Sequence, residues 1–154
     1  MISRHPITCH VLDTTSGKPA QNVQVLLQIA TSFPASSTES YDQDYVYSTV
    51  ATASTNSDGR VSHWSLVDDE LSTAPINISD DRFIAAMQHK LTSTQVPWIV
   101  RVRFKNIAEY FANDTFFPYA DIVFTVPVGS LANGEHFHIP LLLSKYSYTT
   151  YRGS

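Results

Sequence analysis

Three histidines and one arginine are the residues of this sequence best suited to chemistry. His136 and His138 stand two apart in a β-like run, so both rings leave the same face of a strand. His10 lies in another alternating run and shares its face with Thr8. A neutral imidazole gives or takes a proton near pH 7, because its unperturbed pKa is about 6.5. Two imidazoles that meet in a cleft can activate a water between them. Arg60 directly follows Asn56-Ser57-Asp58-Gly59, and a guanidinium fixed at a turn exit can hold an anionic ligand or the charge developing on a carbonyl oxygen. Against this, His-x-His alone is a weak pattern, and a strand histidine is commonly a hydrogen-bonded structural residue. Asp58-Gly59-Arg60 by itself reads as a turn with a solvated arginine. Three imidazoles are also the ligand set of an open zinc site, which His10, His136 and His138 could supply.

The other reactive side chains offer less. Cys9 adjoins His10, but neighbouring strand residues point to opposite faces, which makes its thiol a small core group rather than a nucleophile for that histidine. His5, His63 and His89 carry no motif and read as surface or structural residues, and Asp68-Asp69-Glu70 as a solvated patch. The chain has no Gly-rich phosphate loop, Gly-x-Ser-x-Gly elbow or His-Glu-x-x-His pair.

The elements that must position these groups are short and β-like. Apolar runs rich in Val, Ile, Thr and Tyr are separated by turn residues. Pro6 to Leu12 alternates, with Ile7, Cys9 and Val11 on one face and Thr8, His10 and Leu12 on the other. Ser16-Gly17-Lys18-Pro19 is a turn, and Val23 to Ile29 and Tyr45 to Ala53 are expected strands around a Ser/Thr/Pro-rich loop. Trp98 to Phe104, Phe116 to Val126 and His136 to Ser144 are the later strands. Ser79 is an expected helix cap, followed by Phe83, Met87 and Leu91 on one helix face. Asn106 and Glu109 have capping-box spacing for a one- or two-turn helix through Phe111. About seven strands with one or two short helices predict an all-β fold, a two-sheet β-sandwich.

The composition narrows the field of functions. A chain of 154 residues with 43% hydrophobic and 16% charged residues is expected to form one globular domain, residues 1–154. A net charge of −4 without a Lys/Arg run argues against nucleic acid and anionic membranes as partners. The single cysteine excludes an intramolecular disulfide and a multi-thiolate zinc site. No stretch approaches the roughly 18 apolar residues of a membrane span. Met1 to His10 lacks a signal-like apolar region, so the sequons at Asn77 and Asn113 read as coincidental. The ending is not a Ser-Lys-Leu address. The expected compartment is the cytoplasm, with peroxisomal import by another route left open.

Taken in order, these fragments resemble one family. Ile7-Thr8-Cys9-His10-Val11-Leu12-Asp13 is followed by Gly17-Lys18-Pro19-Ala20, Asp58-Gly59-Arg60 and Phe117-Pro118-Tyr119. Then come His136-Phe137-His138-Ile139-Pro140-Leu141-Leu142-Leu143-Ser144 and the ending Tyr151-Arg152-Gly153-Ser154. The combination is similar to the 5-hydroxyisourate hydrolases, the transthyretin-like enzymes of urate breakdown in purine metabolism.

The resemblance implies a transthyretin-like (prealbumin-like) sandwich of two four-stranded sheets with a short helix. It also implies a homotetramer, a dimer of dimers, with active sites in the channel between dimers. The implied reaction is hydrolysis of 5-hydroxyisourate, a cyclic amide, to 2-oxo-4-hydroxy-4-carboxy-5-ureidoimidazoline, with no metal or organic cofactor. The family's catalytic histidines fall on His10 and His138 and its arginine on Arg60. His10, Arg60, Tyr151, Arg152, Gly153 and Ser154 are the implied substrate contacts. The chain departs from the family in its extra length, which falls near 31–47 and 64–97, and in Phe137 where a tyrosine is common. The rival reading is a transthyretin-like carrier of small ligands or hormones without catalysis, but such carriers lack the paired histidine–arginine set and the Tyr-Arg-Gly-Ser ending.

Overall fold

A computed structural model describes residues 5–32, 45–61, 63–67, 84, 85, 87, 97–127 and 129–154. Its strands are β1 (Ile7–Asp13), β2 (Lys18–Pro19), β3 (Gln24–Ser32), β4 (Val46–Ser54), β5 (Arg60–Val61), β6 (Ser65–Leu66), β7 (Trp98–Phe104), β8 (Ala120–Val126), β9 (Phe137–Leu143) and β10 (Tyr148–Thr150). One short helix, α1 (Ile107–Tyr110), links β7 to β8.

Two sheets face each other. The first runs β10-β9-β1-β2, with β5 also paired to β1; the second runs β6-β4-β3-β7-β8. All pairings are antiparallel except β1 with β9, which run parallel from Ile7 beside Phe137 to Asp13 beside Leu143. The expected all-β, transthyretin-like sandwich is therefore what forms, with five strands in each sheet rather than the four implied, because short strands such as β5 and β6 add to the sheets.

Period-two alternation decides which side chains enter the core. In β1, Ile7, Cys9, Val11 and Asp13 are buried, while Thr8, His10 and Leu12 are half-buried on the opposite face. In β9, Phe137, Ile139, Leu141 and Leu143 point inward. They meet Val25, Leu27 and Ile29 of β3 and Val100, Val102 and Phe104 of β7 in one apolar cluster. The outer face of the first sheet is left to carry the polar residues. Phe137 is buried in that cluster, opposite in sense to its two flanking histidines.

The differences from the expected elements are local. Trp98–Phe104 forms as expected, but β8 starts at Ala120 rather than Phe116. Thr115 and Phe116 instead bond to the Lys145 carbonyl, which holds residues 115–119 as a loop. The two-residue strands β2, β5 and β6 and the three-residue β10 are too short to show a period. Asn106 does cap α1, but its side chain makes no cap bond. It accepts the Gln24 N–H at 2.8 Å and donates to the Asn22 carbonyl at 3.2 Å, pinning the helix to the start of β3.

Residues 33–44 and most of 68–96 lie outside the described residues, as do Ser79, Phe83, Leu91 and His89. Of the expected helix there, Ile84, Ala85 and Met87 are helical, and Met87 is buried in the core. His63 is exposed, whereas His5 is buried and thus structural. No helix among the described residues is long and apolar enough to cross a membrane.

Candidate active site

The first sheet's outer face carries a cleft of about 550 Å³. Four segments line it: Thr8 and His10 from β1, Asn56 and Arg60 from the turn into β5, His136 and His138 at the start of β9, and Tyr151, Gly153 and Ser154 from the end of the chain.

Register brings them together. His10 stands directly opposite Arg60 in the β1–β5 pair. Thr8 stands beside His138, and His10 beside Pro140, in the parallel β1–β9 pair. Beyond β10 the chain returns along β9, where an isolated bridge joins Gly153 to His138 and the Gly153 N–H donates to the His138 carbonyl at 2.9 Å.

The turn before Arg60 is built by its sequence. Asn56 Oδ1 accepts the N–H groups of Asp58 at 2.9 Å and Arg60 at 3.0 Å, as a short amide side chain in a turn does. Gly59 has φ +71°, and a Cβ there would come within 2.4 Å of the Val11 carbonyl oxygen. Only glycine meets both conditions. The Gly59 carbonyl accepts the Val11 N–H at 2.8 Å, which ties the turn to β1 and sets Arg60 across from His10. Arg60 is exposed and makes no ion pair among the described residues, so its donor fork is available to a ligand.

The histidines are held by hydrogen bonds. His136 Nδ1 lies 2.7 Å from the His5 carbonyl oxygen, and Thr8 Oγ1 lies 3.2 Å from His136 Nε2 and 2.7 Å from His138 Nδ1. The two rings are near-parallel, with centroids 6.3 Å apart. Partial burial, then the Arg60 charge, hold the His10 imidazole below its ordinary pKa against a bond to the Asp58 backbone, which favours its neutral form. Burial pushes the Cys9 thiol far up, so it stays an inert core group.

The expected residues His10, Arg60, His138, Tyr151, Gly153 and Ser154 converge on this cleft. Arg152 turns aside: it pairs with Glu135 at 2.9 Å, lies over the Phe137 ring, and lines a separate apolar cavity of about 260 Å³ with Ile122 and Phe124. Thr8, Asn56 and His136 are cleft residues that the motif reading left out of the site, although Thr8 precedes His10 by one strand period and His136 precedes His138 by the same step. His136 uses both ring nitrogens on protein partners, so the three-imidazole zinc set has no free third ligand. No group of metal-ligating side chains forms among the described residues. What the arrangement offers is imidazole bases, a cationic fork and hydroxyl groups around one concavity, the parts needed for attack of water on a polarised carbonyl.

Comparison with known proteins agrees with the fold and the motifs. Residues 7–153 match the model of the HIUase/Transthyretin family. The chain is 35% identical over 152 residues to the uric acid degradation bifunctional protein TTL of Arabidopsis thaliana, covering 99% of this chain and 38% of that protein. It is 32% identical over 149 residues to the 5-hydroxyisourate hydrolase of Mus musculus, covering 97% of this chain and 95% of that one. The crystal structure of transthyretin from Sparus aurata superposes with a TM-score of 0.60 at 23% identity over 97% of both chains, a likeness of fold. With a family match running from β1 to the terminal bridge, and relatives above 30% identity over nearly the whole chain, this protein belongs to the HIUase/transthyretin family.

Proposed function

We propose that this chain hydrolyses 5-hydroxyisourate to 2-oxo-4-hydroxy-4-carboxy-5-ureidoimidazoline. The observation that carries the reading is the convergence of His10, Arg60 and His138 on one cleft, in a chain whose relatives include a protein named for that hydrolysis. A transthyretin-like carrier needs no such cluster of base and cation in its site.

The substrate is a small planar ring with an electrophilic acyl carbon. Arg60 orients it through its planar fork and stabilises the charge developing on the acyl oxygen. His10 and His138 position the attacking water and one of the two takes up its proton, a contribution typically worth about 10²–10⁴-fold. Tyr151 and Ser154 donate hydrogen bonds to ring oxygens and nitrogens. Gly153 closes the wall behind His138, and Arg152 stabilises the terminal segment through Glu135. No cofactor takes part. The functional assembly is a homotetramer, a dimer of dimers, with clefts meeting in the channel between dimers; the compartment is the cytoplasm.

The test is the decay of the ultraviolet band of freshly generated 5-hydroxyisourate. Micromolar protein should speed it well beyond buffer, and a His10→Asn variant should not. Equal decay with and without the wild-type protein discards the hydrolase reading in favour of a binding protein.

A further inference from the structure

A chain of hydrogen bonds connects the backbone to the ring of His138, and its proton positions follow from donor and acceptor chemistry. His136 Nδ1 lies 2.7 Å from the His5 carbonyl oxygen. A carbonyl only accepts, so Nδ1 carries the proton, and the neutral ring keeps a lone pair on Nε2. Thr8 Oγ1 lies 3.2 Å from that Nε2 and 2.7 Å from His138 Nδ1. The hydroxyl has one proton, and the His136 lone pair takes it. The remaining bond must then run the other way, with His138 Nδ1–H donating to the Thr8 oxygen. With both rings neutral this is the self-consistent arrangement, and it leaves the lone pair of His138 on Nε2.

We propose that Thr8 and His136 are positioning residues: they hold His138 in the Nδ1–H tautomer and so make its Nε2 the general base for the attacking water. The base assignment rests on the hydrolase reading above, while the tautomer stands apart from it. The ring is also held along its other edge. A Cβ on Gly153 would fall 2.5 Å from His138 Cδ2 and 3.2 Å from Cγ, so the terminal segment can lie against the imidazole only as glycine. His10 is partly buried and stands opposite the Arg60 cation, and both weaken it as a proton acceptor and suit it to orienting the water.

The proton balance closes at one nitrogen. Nε2 of His138 takes a proton as the water oxygen bonds to the acyl carbon, and the imidazolium keeps its Nδ1–H on Thr8. As the carbon–nitrogen bond breaks, its electron pair goes to the leaving ring nitrogen, which receives the proton from Nε2. His138 returns to the tautomer it began in, and no proton travels along the chain.

The decisive experiment reads the tautomer by two-bond ¹⁵N–¹H correlations of labelled full-length protein at about pH 8, where an ordinary imidazole is neutral. Wild type should carry its His138 proton on Nδ1. Thr8→Val keeps the shape but removes the relay; His138 should lose the Nδ1–H preference, and kcat should fall about tenfold with KM held within about twofold, less than the ~10²-fold or more of losing the base. Thr8→Ser should restore both. In His136→Phe the Thr8 hydroxyl loses its acceptor and should turn its proton to His138 Nδ1, moving the ring proton to Nε2. The relay is overturned if His138 keeps its Nδ1 proton in Thr8→Val and His136→Phe, or if Thr8→Ser behaves as Thr8→Val. Failure of the hydrolase reading looks different: wild type then leaves 5-hydroxyisourate decay unaccelerated although His138 carries its proton on Nδ1, and the base role falls.

Discussion

At the scale of single residues, the cleft separates charge from shape. Arg60 supplies charge and a planar fork in one group, and lysine offers only the charge. Arg60→Lys should therefore lower kcat/KM by at least about tenfold, measured by the same ultraviolet decay, with an unchanged melting temperature because the side chain is exposed. Gly153 contributes only by lacking a side chain. Gly153→Ala should displace the terminal segment or the His138 ring and cut kcat by about tenfold or more, since small misplacements of reacting groups are costly. Arg152 gives the contrast. Its pair with Glu135 joins two exposed side chains, a class worth about 0–1 kcal/mol, so Arg152→Ala should lower activity much less than Arg60→Lys.

At the scale of elements, four segments distant in sequence reach one face because β1 is paired on both sides. β9 runs parallel to it on one edge and the β5 turn lies against the other. The turn depends on Gly59, whose positive φ costs a side-chain-bearing residue about 1–2 kcal/mol even before the contact with the Val11 oxygen is counted. Gly59→Ala should lower the free energy of unfolding by about 2 kcal/mol or more in urea titration and weaken activity through Arg60. Asn106 shows an element whose existence was legible and whose bonding was not. Its spacing to Glu109 announced the helix, but the side chain bonds to residues 22 and 24, more than eighty positions away.

At the scale of the whole molecule, one buried histidine makes stability depend on pH. His5 packs near Trp64 with its Nδ1 2.7 Å from the Ile7 carbonyl. Burial, opposed by that bond and reinforced by His136 and His63, pushes its imidazole down to about 4. A histidine with a depressed folded pKa binds its proton more readily when unfolded. Stability is thus unaffected above the unfolded value of about 6.5, falls as the pH drops from there to about 4, and by this group levels off below, a loss on the order of 3 kcal/mol. Urea midpoints at pH 7 and 4.5 should differ, and His5→Leu should remove much of that difference. An unchanged difference in the variant would assign it to other groups.

Alternation, turn chemistry and paired motifs are local properties, and they determined much. The strict period of Ile7 to Asp13, the Asn56–Arg60 turn and the His136/His138 spacing each follow from the residues within one strand or turn. They were enough to indicate a β-sandwich with His10 and His138 on strand faces and Arg60 at a turn exit, and the family resemblance joined the three into one site. Strands of two or three residues carry no period, so β2, β5, β6 and β10 came only with their partners. The roles of Thr8 and His136, the turning of Arg152 toward Glu135, and the fit of Gly153 against an imidazole also came only with the fold. Each depends on strand register and on distances between atoms more than ten residues apart, and a hydrogen bond's direction is decided by the partner it meets rather than by the residue that makes it.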